Sequence, residues 1–172
     1  MSRPLLVSCE GICKAYGVQP LFESLCFSLA EGDRVGLVGP NGSGKTTLLR
    51  ILAGLDSPDA GTRSARKLLR LGYVPQDPTF PEGATVGEIV RAGLTPDDPE
   101  TAGRVAATLG RAGLADPRQT VALLSAGWRK RLAIACELVG GPDLLLMDEP
   151  TNHLDLEGIL WLEELLAVEV PA

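Results

Sequence analysis

The glycine-rich stretch "GPNGSGKTTLLRILAGL" (39–55) is the feature that most restricts how this chain folds. It lies between the apolar run "VGLV" and a segment, from Lys45 onward, in which apolar residues recur at helical spacing. Glycine in a loop costs backbone entropy, so it indicates close approach of the main chain to a ligand, or φ angles that other residues resist. "GPNGSGKT" matches G-x-x-x-x-G-K-[ST] between a predicted strand and a predicted helix, the context that gives the match its meaning. The sequence therefore predicts a loop that binds the triphosphate of a nucleotide.

The chemistry of this loop assigns roles to its residues. We expect the amides of residues 42–47, with the positive end of the helix dipole, to surround the phosphates. Lys45 would reach the β and γ phosphates, and the Thr46 hydroxyl would complete the coordination shell of Mg²⁺. On this stretch alone, a glycine-rich turn that contains a lysine by chance is the alternative. The residues expected to contact the nucleotide are Gly39, Pro40, Asn41, Gly42, Ser43, Gly44, Lys45, Thr46 and Thr47.

A second motif, "LLLMDE" (144–149), ends an apolar run of strand length with two carboxylates. A carboxylate at the end of a buried strand is costly unless a metal ion or its water shell offsets the cost, so Asp148 is the predicted Mg²⁺ ligand. Glu149 is the predicted general base, which would hold a water for in-line attack on the γ phosphate. Taken alone, an Asp-Glu pair before a proline also suits a cap on the next turn.

The remaining patterns place these motifs in an α/β fold. Strand, loop and helix in that order predict an α/β sandwich with a mainly parallel sheet, an N-terminal antiparallel β subdomain and a helical insertion. Together with the phosphate loop, this arrangement resembles the three-layer sandwich of P-loop NTPases. The predicted strands are "LLVSCEG" (5–11), "SLCFSLAEG" (24–32), "RVGLVG" (34–39), "LLRLGYVPQ" (68–76) and "PDLLLMDEP" (142–150). The predicted helices lie at 45–53, 85–94, 101–114, 125–139 and about 157–167, and a turn is predicted at 57–61.

Four motifs in a fixed order resemble those of ABC-type ATPase nucleotide-binding domains. The phosphate loop is followed by "YVPQD" (73–77), "LLSAGWRKR" (123–131) and "DEPTNHLD" (148–155). These resemble the family's Q-loop, its signature sequence, and its second nucleotide motif with the D-loop. The resemblance covers almost all of the chain and implies one nucleotide-binding domain, 1–172, with a helical subdomain at about 77–140. It implies ATP binding and hydrolysis with ATP and Mg²⁺.

Site residues also follow from the resemblance. Gln76 matches the glutamine that in the family contacts Mg²⁺ and the attacking water. The expected catalytic residues are therefore Glu149, Lys45 and Gln76. The expected metal ligands are Thr46, Gln76 and Asp148.

The signature residues Ser125, Ala126 and Gly127 match a site that in the family completes the ATP pocket of the opposite subunit. The resemblance therefore implies a head-to-tail dimer with a second cassette. Taken alone, "LSAG" is more typical of a serine that caps a helix. Tyr16, in "KAYG", matches the aromatic residue that stacks on adenine, with an ordinary core or surface tyrosine as the alternative.

Details of the motifs point to a subfamily. Trp128 in the signature and "PTNHLD" (150–155) resemble ABC-F proteins, which have paired cassettes and act on ribosomes, more than the cassettes of membrane transporters. This implies a first cassette that acts on the ribosome or translation. Two features depart from the pattern: only 47 residues separate Gln76 from Leu124, without the heptads of a helical arm, and Ala126 replaces the usual glycine. The alternatives are an ATP-binding subunit of a membrane transporter, with a membrane subunit as partner, and a non-catalytic nucleotide-dependent dimerisation module.

A third departure concerns the C-terminus. In the family a further strand lies between the phosphate-loop strand and the "LLLMDE" strand and ends in a switch histidine. "VEVPA" (168–172) offers at most the beginning of that strand, and His153, the only histidine, belongs to the D-loop, where we expect hydrogen bonds within a turn. We therefore expect an incomplete cassette, with weak ATP binding and little turnover by this chain alone.

Charge and cysteine content narrow the partners. The net charge of −6 argues against nucleic-acid binding driven by overall charge, so we expect no direct DNA binding. Two basic clusters are interpreted as solvated faces, with phosphate contact as the alternative: Arg63, Arg66, Lys67 and Arg70, and Arg129, Lys130 and Arg131. The four cysteines form no CxxC pair, so we expect buried or half-buried thiols and no zinc site. Without a signal peptide or an apolar run near ~20 residues, the expected location is cytoplasmic.

Overall fold

The computed structural model describes residues 3–94 and 100–169, which form two compact units. The first contains the described residues up to Tyr73 together with Asp143–Asp148, and the second contains the described residues of Val74–Pro142 together with Glu149–Glu169. The strands are β1 Leu5–Tyr16, β2 Gln19–Ala30, β3 Ala60–Ala65, β4 Leu71–Val74 and β5 Leu144–Met147. The helices are α1 Lys45–Ala53, α2 Val86–Ala92, α3 Thr101–Ala112, α4 Ala126–Val139 and α5 Leu156–Glu169, with a 3₁₀ turn at Val121–Leu123.

An antiparallel sheet of order β2-β1-β3 lies in the first unit, as the sequence predicted for its N-terminal β subdomain, although β1 and β2 extend beyond the predicted strands 5–11 and 24–32. β1 and β2 form a hairpin in which Tyr16 pairs with Gln19, and Gly17 in the two-residue turn has a φ of 68°. β3 was not predicted, since a turn was expected at 57–61. At its second residue, Gly61, an added Cβ would lie 2.3 Å from the Gly11 carbonyl oxygen, so β3 approaches β1 too closely for a larger residue.

Helix α1 packs its apolar face against this sheet and β5, and its predicted bounds are confirmed. Gly54 ends the helix at a φ of 75°, and its amide donates to the carbonyls of Arg50 and Ile51. Arg63 of β3 donates from Nε and Nη2 to the Leu52 carbonyl at 3.0 and 2.6 Å, which satisfies an acceptor that a helix end leaves open. The buried core of this unit consists of Leu6, Val7, Cys9, Ile12, Leu48, Ile51, Leu52, Leu144 and Leu146.

Residues 34–39 do not form the predicted strand. Val35 is 71% exposed and Val38 is 93% exposed. Among the described residues, neither the β2-β1-β3 sheet nor the two-stranded sheet of β4 and β5 includes this segment. A strand requires a neighbour that pairs with its N–H and C=O groups, and none of the described strands pairs with residues 34–39. The apolar pattern of "RVGLVG" is typical of a buried strand, but in this structure the segment is exposed, so the strand prediction is wrong here.

The second unit is mainly helical, and its four predicted helices are confirmed with bounds shifted by one or two residues. Thr85 starts α2 with a capping box, because its side chain accepts from the amide of Glu88 and the Glu88 carboxylate accepts from the amide of Thr85. Of "VEVPA", Val168 and Glu169 belong to α5, and 170–172 lie outside the described residues. The core consists of Val86, Val90, Val105, Leu109, Ala112, Leu114, Val121, Leu124, Leu132, Ala135 and Val139.

Candidate nucleotide site

The predicted phosphate loop is an irregular segment that ends where α1 begins at Lys45. Gly42 and Gly44 have φ angles of 79° and 89°, which non-glycine residues rarely adopt. An added Cβ on Gly44 would also lie 3.1 Å from Cβ of Leu21, so this position lacks room for a side chain. Two glycines of the motif are therefore required by backbone conformation.

The ammonium group of Lys45 is held by the loop itself. Its Nζ donates to the carbonyl oxygens of Gly39 and Pro40 at 3.0 and 3.1 Å. Phosphate oxygens are stronger acceptors for an ammonium than neutral carbonyls, so a bound phosphate would compete for the same donor. Asn41, Ser43 and Thr46 are exposed or at the surface of the loop, whereas Thr47 is buried.

Asp148 follows the last residue of β5 and is 1% exposed. Burial, and in second place the charge of Asp148, raises the pKa of Tyr73 on β4. The unit that carries the phosphate loop thus supplies the Thr46 hydroxyl and a buried carboxylate. These are oxygen donors of the kind that Mg²⁺ prefers beside phosphates and water, so the donor set fits this ion. In residues 3–94 and 100–169 there is no group of three or more His, Cys, Asp or Glu residues suited to a metal.

Glu149 lies in a left-handed conformation, with a φ of 45°. Its Oε2 accepts a hydrogen bond from Asn152 Nδ2 at 2.5 Å, and the Asn152 amide donates to the Glu149 carbonyl at 3.1 Å. Residue 149 thus organises the following turn, as the capping alternative proposed. A left-handed non-glycine residue costs roughly 1 kcal/mol or more and is most often kept at functional positions.

Gln76 is half-buried and lies two residues after the end of β4. Its carbonyl oxygen, with that of Pro75, accepts hydrogen bonds from Nζ of Lys130 at 2.6 and 2.9 Å. Lys130 is 1% exposed, so the interpretation of Arg129, Lys130 and Arg131 as one solvated face is wrong for this residue. Arg129 alone of the three is exposed.

The signature segment begins α4. Ser125 is the N-cap, and its Oγ accepts from the Trp128 amide at 3.4 Å, as expected for "LSAG" taken alone. Ala126 is exposed. A Cβ added to Gly127 would lie 2.7 Å from the carbonyl oxygen of His153, which shows how closely the signature and the D-loop pack. A cavity of about 100 Å³ is lined by Ser125, Gly127, Trp128, Arg131, His153, Leu154, Asp155 and Glu157.

Arg131 is also buried, at 6% exposure. Its guanidinium carbon lies 4.6 Å from the ring centroid of Trp128 and 5.0 Å from that of Trp161, and one Nη lies 3.8 Å from the Glu157 carboxylate. Stacking between two indoles joins α4 to α5 through a desolvated cation. No local pattern in the sequence indicates this contact, because Trp161 lies 30 residues farther along the chain than Arg131.

Tyr16 lies at the end of β1 and is 61% exposed. Lys14 Nζ lies 5.8 Å from the centroid of its ring, and the Tyr16 hydroxyl is 3.5 Å from Asp56. Lys14 is itself bonded to Asp56, Asp59 and the Ser57 carbonyl. The ring is therefore supported at one side and accessible from solvent, as a base-stacking residue requires.

Comparison with known proteins agrees with this set of motifs. A model of the ABC transporter family matches residues 22–152, and the chain belongs to this family. Over 159 residues the chain is 40% identical to the energy-dependent translational throttle protein EttA of Escherichia coli O6:H1, which covers 89% of this chain and 28% of the relative. It is 39% identical over 186 residues to the Nod factor export ATP-binding protein I of Ralstonia nicotianae, covering 96% of this chain and 57% of the relative.

The fold is confirmed by solved structures. The chain matches a bacterial Atm1-family ABC exporter with ATP bound at a TM-score of 0.83 and 29% identity, over 99% of this chain and 33% of the exporter chain. The predicted P-loop NTPase fold and the predicted ABC resemblance are therefore correct. The chain spans 32–34% of the length of three other curated relatives. Among the described residues, no helix combines the length and the apolar character needed to cross a membrane.

Proposed function

We propose that this chain is an ABC-F-type cassette that binds ATP with Mg²⁺ through the loop 39–47 and hydrolyses it when paired with a second cassette. The observation that carries the proposal is the phosphate loop itself, whose two left-handed glycines precede a lysine at the first residue of α1. Such a loop presents amides and a helix N-terminus to an anion, and the nucleotide phosphates supply that anion.

The metal site of the proposal uses three residues. Thr46 and Asp148 would hold Mg²⁺, and Gln76 would contact the ion and the attacking water. When bound, Mg²⁺ neutralises charge on the phosphates.

The catalytic residues of the proposal have distinct tasks. Lys45 transfers its hydrogen bonds from the carbonyls of residues 39 and 40 to the β and γ phosphates, where its charge stabilises the transition state. Glu149 accepts the proton of the attacking water. For this step its carboxylate must keep an oxygen lone pair that the hydrogen bond from the Asn152 side-chain amide does not occupy. Tyr16 stacks on adenine, and Ser125, Ala126 and Gly127 offer a helix N-terminus to the nucleotide of the partner cassette.

Isothermal calorimetry with ATP tests the proposal, in Mg²⁺ and in EDTA. We expect Lys45→Ala to weaken MgATP binding at least about tenfold, because a charge-assisted contact is lost. Lys67→Ala removes the same charge from an exposed position of the same unit and serves as the matched control. No magnesium-dependent affinity in the folded wild-type chain, or equal affinities for the two variants, would contradict the proposal.

The similarity to EttA, together with Trp128 and "PTNHLD", favours a role in translation. Such a role would place the chain in the cytoplasm, with the ribosome as partner. The second candidate is the ATP-binding subunit of a membrane transporter, which the similarity to an export protein favours. Sedimentation of tagged protein from a lysate distinguishes them: ribosomal fractions support the first and membrane fractions the second.

Turnover by the 172 residues alone is expected to be low. Their only histidine, His153, lies in the turn after Glu149 and not at the end of a strand. Loss of a transition-state contact costs on the order of 10²- to 10³-fold in rate. Phosphate release at the rate of whole cassettes, abolished by Glu149→Gln, would contradict this expectation. ATP binding without hydrolysis, even after mixing with a complete cassette, would favour the non-catalytic dimerisation module.

A further inference from the structure

Lys130 is a buried cation in the second unit whose hydrogen bonds go to the backbone of a distant segment. It lies on the second turn of α4, is 1% exposed, and donates from Nζ to the carbonyls of Pro75 and Gln76. The two bonds, at 2.9 and 2.6 Å, reach across 55 and 54 residues of sequence. Burial of an ammonium is costly unless its N–H donors are satisfied. The positions of the lysine side chain and of the two carbonyls therefore depend on each other.

Other contacts bring the same segments of the second unit together. The Gly127 Cα faces the His153 carbonyl so closely that a Cβ would approach it to 2.7 Å. His153 Nε2 lies 3.8 Å from the Asp77 carboxylate. Residues 75–77, the start of α4 and the turn after Glu149 are therefore neighbours, and Lys130 makes the buried polar contact among them.

We propose that Lys130 is a positioning residue for Gln76. By holding the two carbonyls that flank the Cα of Gln76, the ammonium fixes the direction in which the backbone leaves β4, and with it the direction of the Gln76 side chain. This inference rests on the proposed role of Gln76 at the magnesium ion and the attacking water. A helix of the signature segment thus controls a residue of the Q-loop through one side chain.

Calorimetry on the 172-residue chain tests this with Lys130→Met, which keeps the length of the side chain and removes the donors. ATP affinity is measured in Mg²⁺ and in EDTA for this variant, for Gln76→Ala and for the double variant. We expect each single variant to bind ATP about fivefold more weakly in Mg²⁺ and with unchanged affinity in EDTA. We expect the affinity of the double variant in Mg²⁺ to fall no further than that of either single variant. Arg129→Met, one residue earlier on the exposed face of α4, removes the same charge and is expected to bind as wild type.

Two results would overturn the proposal: additive losses in the double variant, or wild-type magnesium dependence in a folded Lys130→Met chain. A lysine that merely stabilises the fold would lower affinity equally in Mg²⁺ and EDTA. If Lys130→Met does not fold, the same affinities in Mg²⁺ and in EDTA are measured for Lys130→Gln, which keeps an N–H donor.

Hydrogen exchange without nucleotide separates this inference from the proposed function. We expect the amides of Gln76 and Asp77 to exchange about tenfold faster in the Lys130 variant, with the amides of α4 unchanged. Faster exchange in a chain that binds no MgATP would support the anchoring and reject the proposed function. Unchanged exchange at Gln76 would reject the anchoring whatever the nucleotide result.

Discussion

Asp143 binds Arg70 with both carboxylate oxygens: Oδ2 accepts from the Arg70 amide and Oδ1 from its Nη2, each at 3.0 Å. Arg66 adds an ion pair to Oδ2 at 3.1 Å. These contacts join the segment before β4 to the start of β5. The Arg70 hydrogen bonds are the main cause that lowers the pKa of Asp143 to about 2. Two arginines of the predicted solvated cluster thus have a structural role.

The lowered pKa predicts an acid-sensitive fold. Because the folded pKa lies below the unfolded value of about 3.9, Asp143 stabilises the protein above about pH 4, and this contribution is lost as pH falls toward 2. We expect Asp143→Asn to unfold at lower urea concentration at pH 7 and to lose less stability than wild type between pH 4 and 2. Urea titrations followed by circular dichroism measure this. The exposed Glu10→Gln is the control, and parallel acid profiles for Asp143→Asn and wild type would contradict the prediction.

Tyr16 is expected to contribute to affinity through the adenine base alone. Stacking of a base on an aromatic ring is worth about 1–3 kcal/mol. We therefore expect Tyr16→Ala to weaken MgATP binding about tenfold and to leave binding of magnesium tripolyphosphate unchanged, since that ligand has no base. Tyr16→Phe, which keeps the ring, should bind ATP nearly as wild type. Equal losses for ATP and tripolyphosphate would indicate that Tyr16 supports the fold and not the base.

Gly127 is expected to tolerate no side chain. Its neighbour at 2.7 Å is a backbone carbonyl, which cannot move aside as a flexible side chain can. We expect Gly127→Ala to destabilise the protein by about 1–3 kcal/mol, as measured by urea unfolding. Ala126→Gly, at the exposed preceding position, is the matched control and should cost less. A Gly127→Ala chain as stable as wild type would contradict this prediction, because it would show that the His153 backbone moves away from the added methyl group without loss of stability.

The cysteines are expected to differ in reactivity. Burial, with a smaller effect of the Glu137 charge, raises the pKa of Cys136 to about 12, and burial raises that of Cys9. Cys26 is exposed, contrary to the expectation of four buried or half-buried thiols. Because the thiolate is the reactive form and an inaccessible thiol reacts slowly, we expect iodoacetamide at pH 8 to label Cys26 first and Cys9 and Cys136 last, with all four labelled in urea. Mass spectrometry of timed samples measures the order, and early labelling of Cys136 would contradict it.

Local pattern was sufficient for the features that depend on neighbours in sequence. The loop at 39–47 and the helix that follows it were predictable from spacing. The antiparallel strands β1 and β2 were predicted too short, at 5–11 and 24–32, and their tight turn at Gly17 was not predicted. β3 was not predicted either, because "AGTRSA" has almost no apolar alternation and is held by backbone pairing to β1. The exposed segment 34–39 was predicted as a strand because its residues are mostly apolar, as in a buried strand. Whether such a segment forms a strand also depends on a neighbouring strand that pairs with it, which the local sequence does not reveal.

The candidate site shows the same limit. Motifs predicted Lys45, Asp148 and Glu149 as site residues, because the roles proposed for them depend only on residue type and on position after a strand or before a helix. Lys130 and Arg131 were interpreted as part of a charged surface, since their partners lie far away in sequence. Neither a backbone carbonyl 54 residues earlier nor an indole on another helix leaves a local signal.

Trp128 and Trp161 are the only tryptophans in the 172 residues, and both flank the guanidinium of Arg131. The tryptophan fluorescence of these 172 residues therefore originates at the junction of α4 and α5. Any movement of one helix relative to the other changes the surroundings of both fluorophores at once. The signature helix thus carries an intrinsic optical reporter, which can follow nucleotide or partner binding without a chemical label.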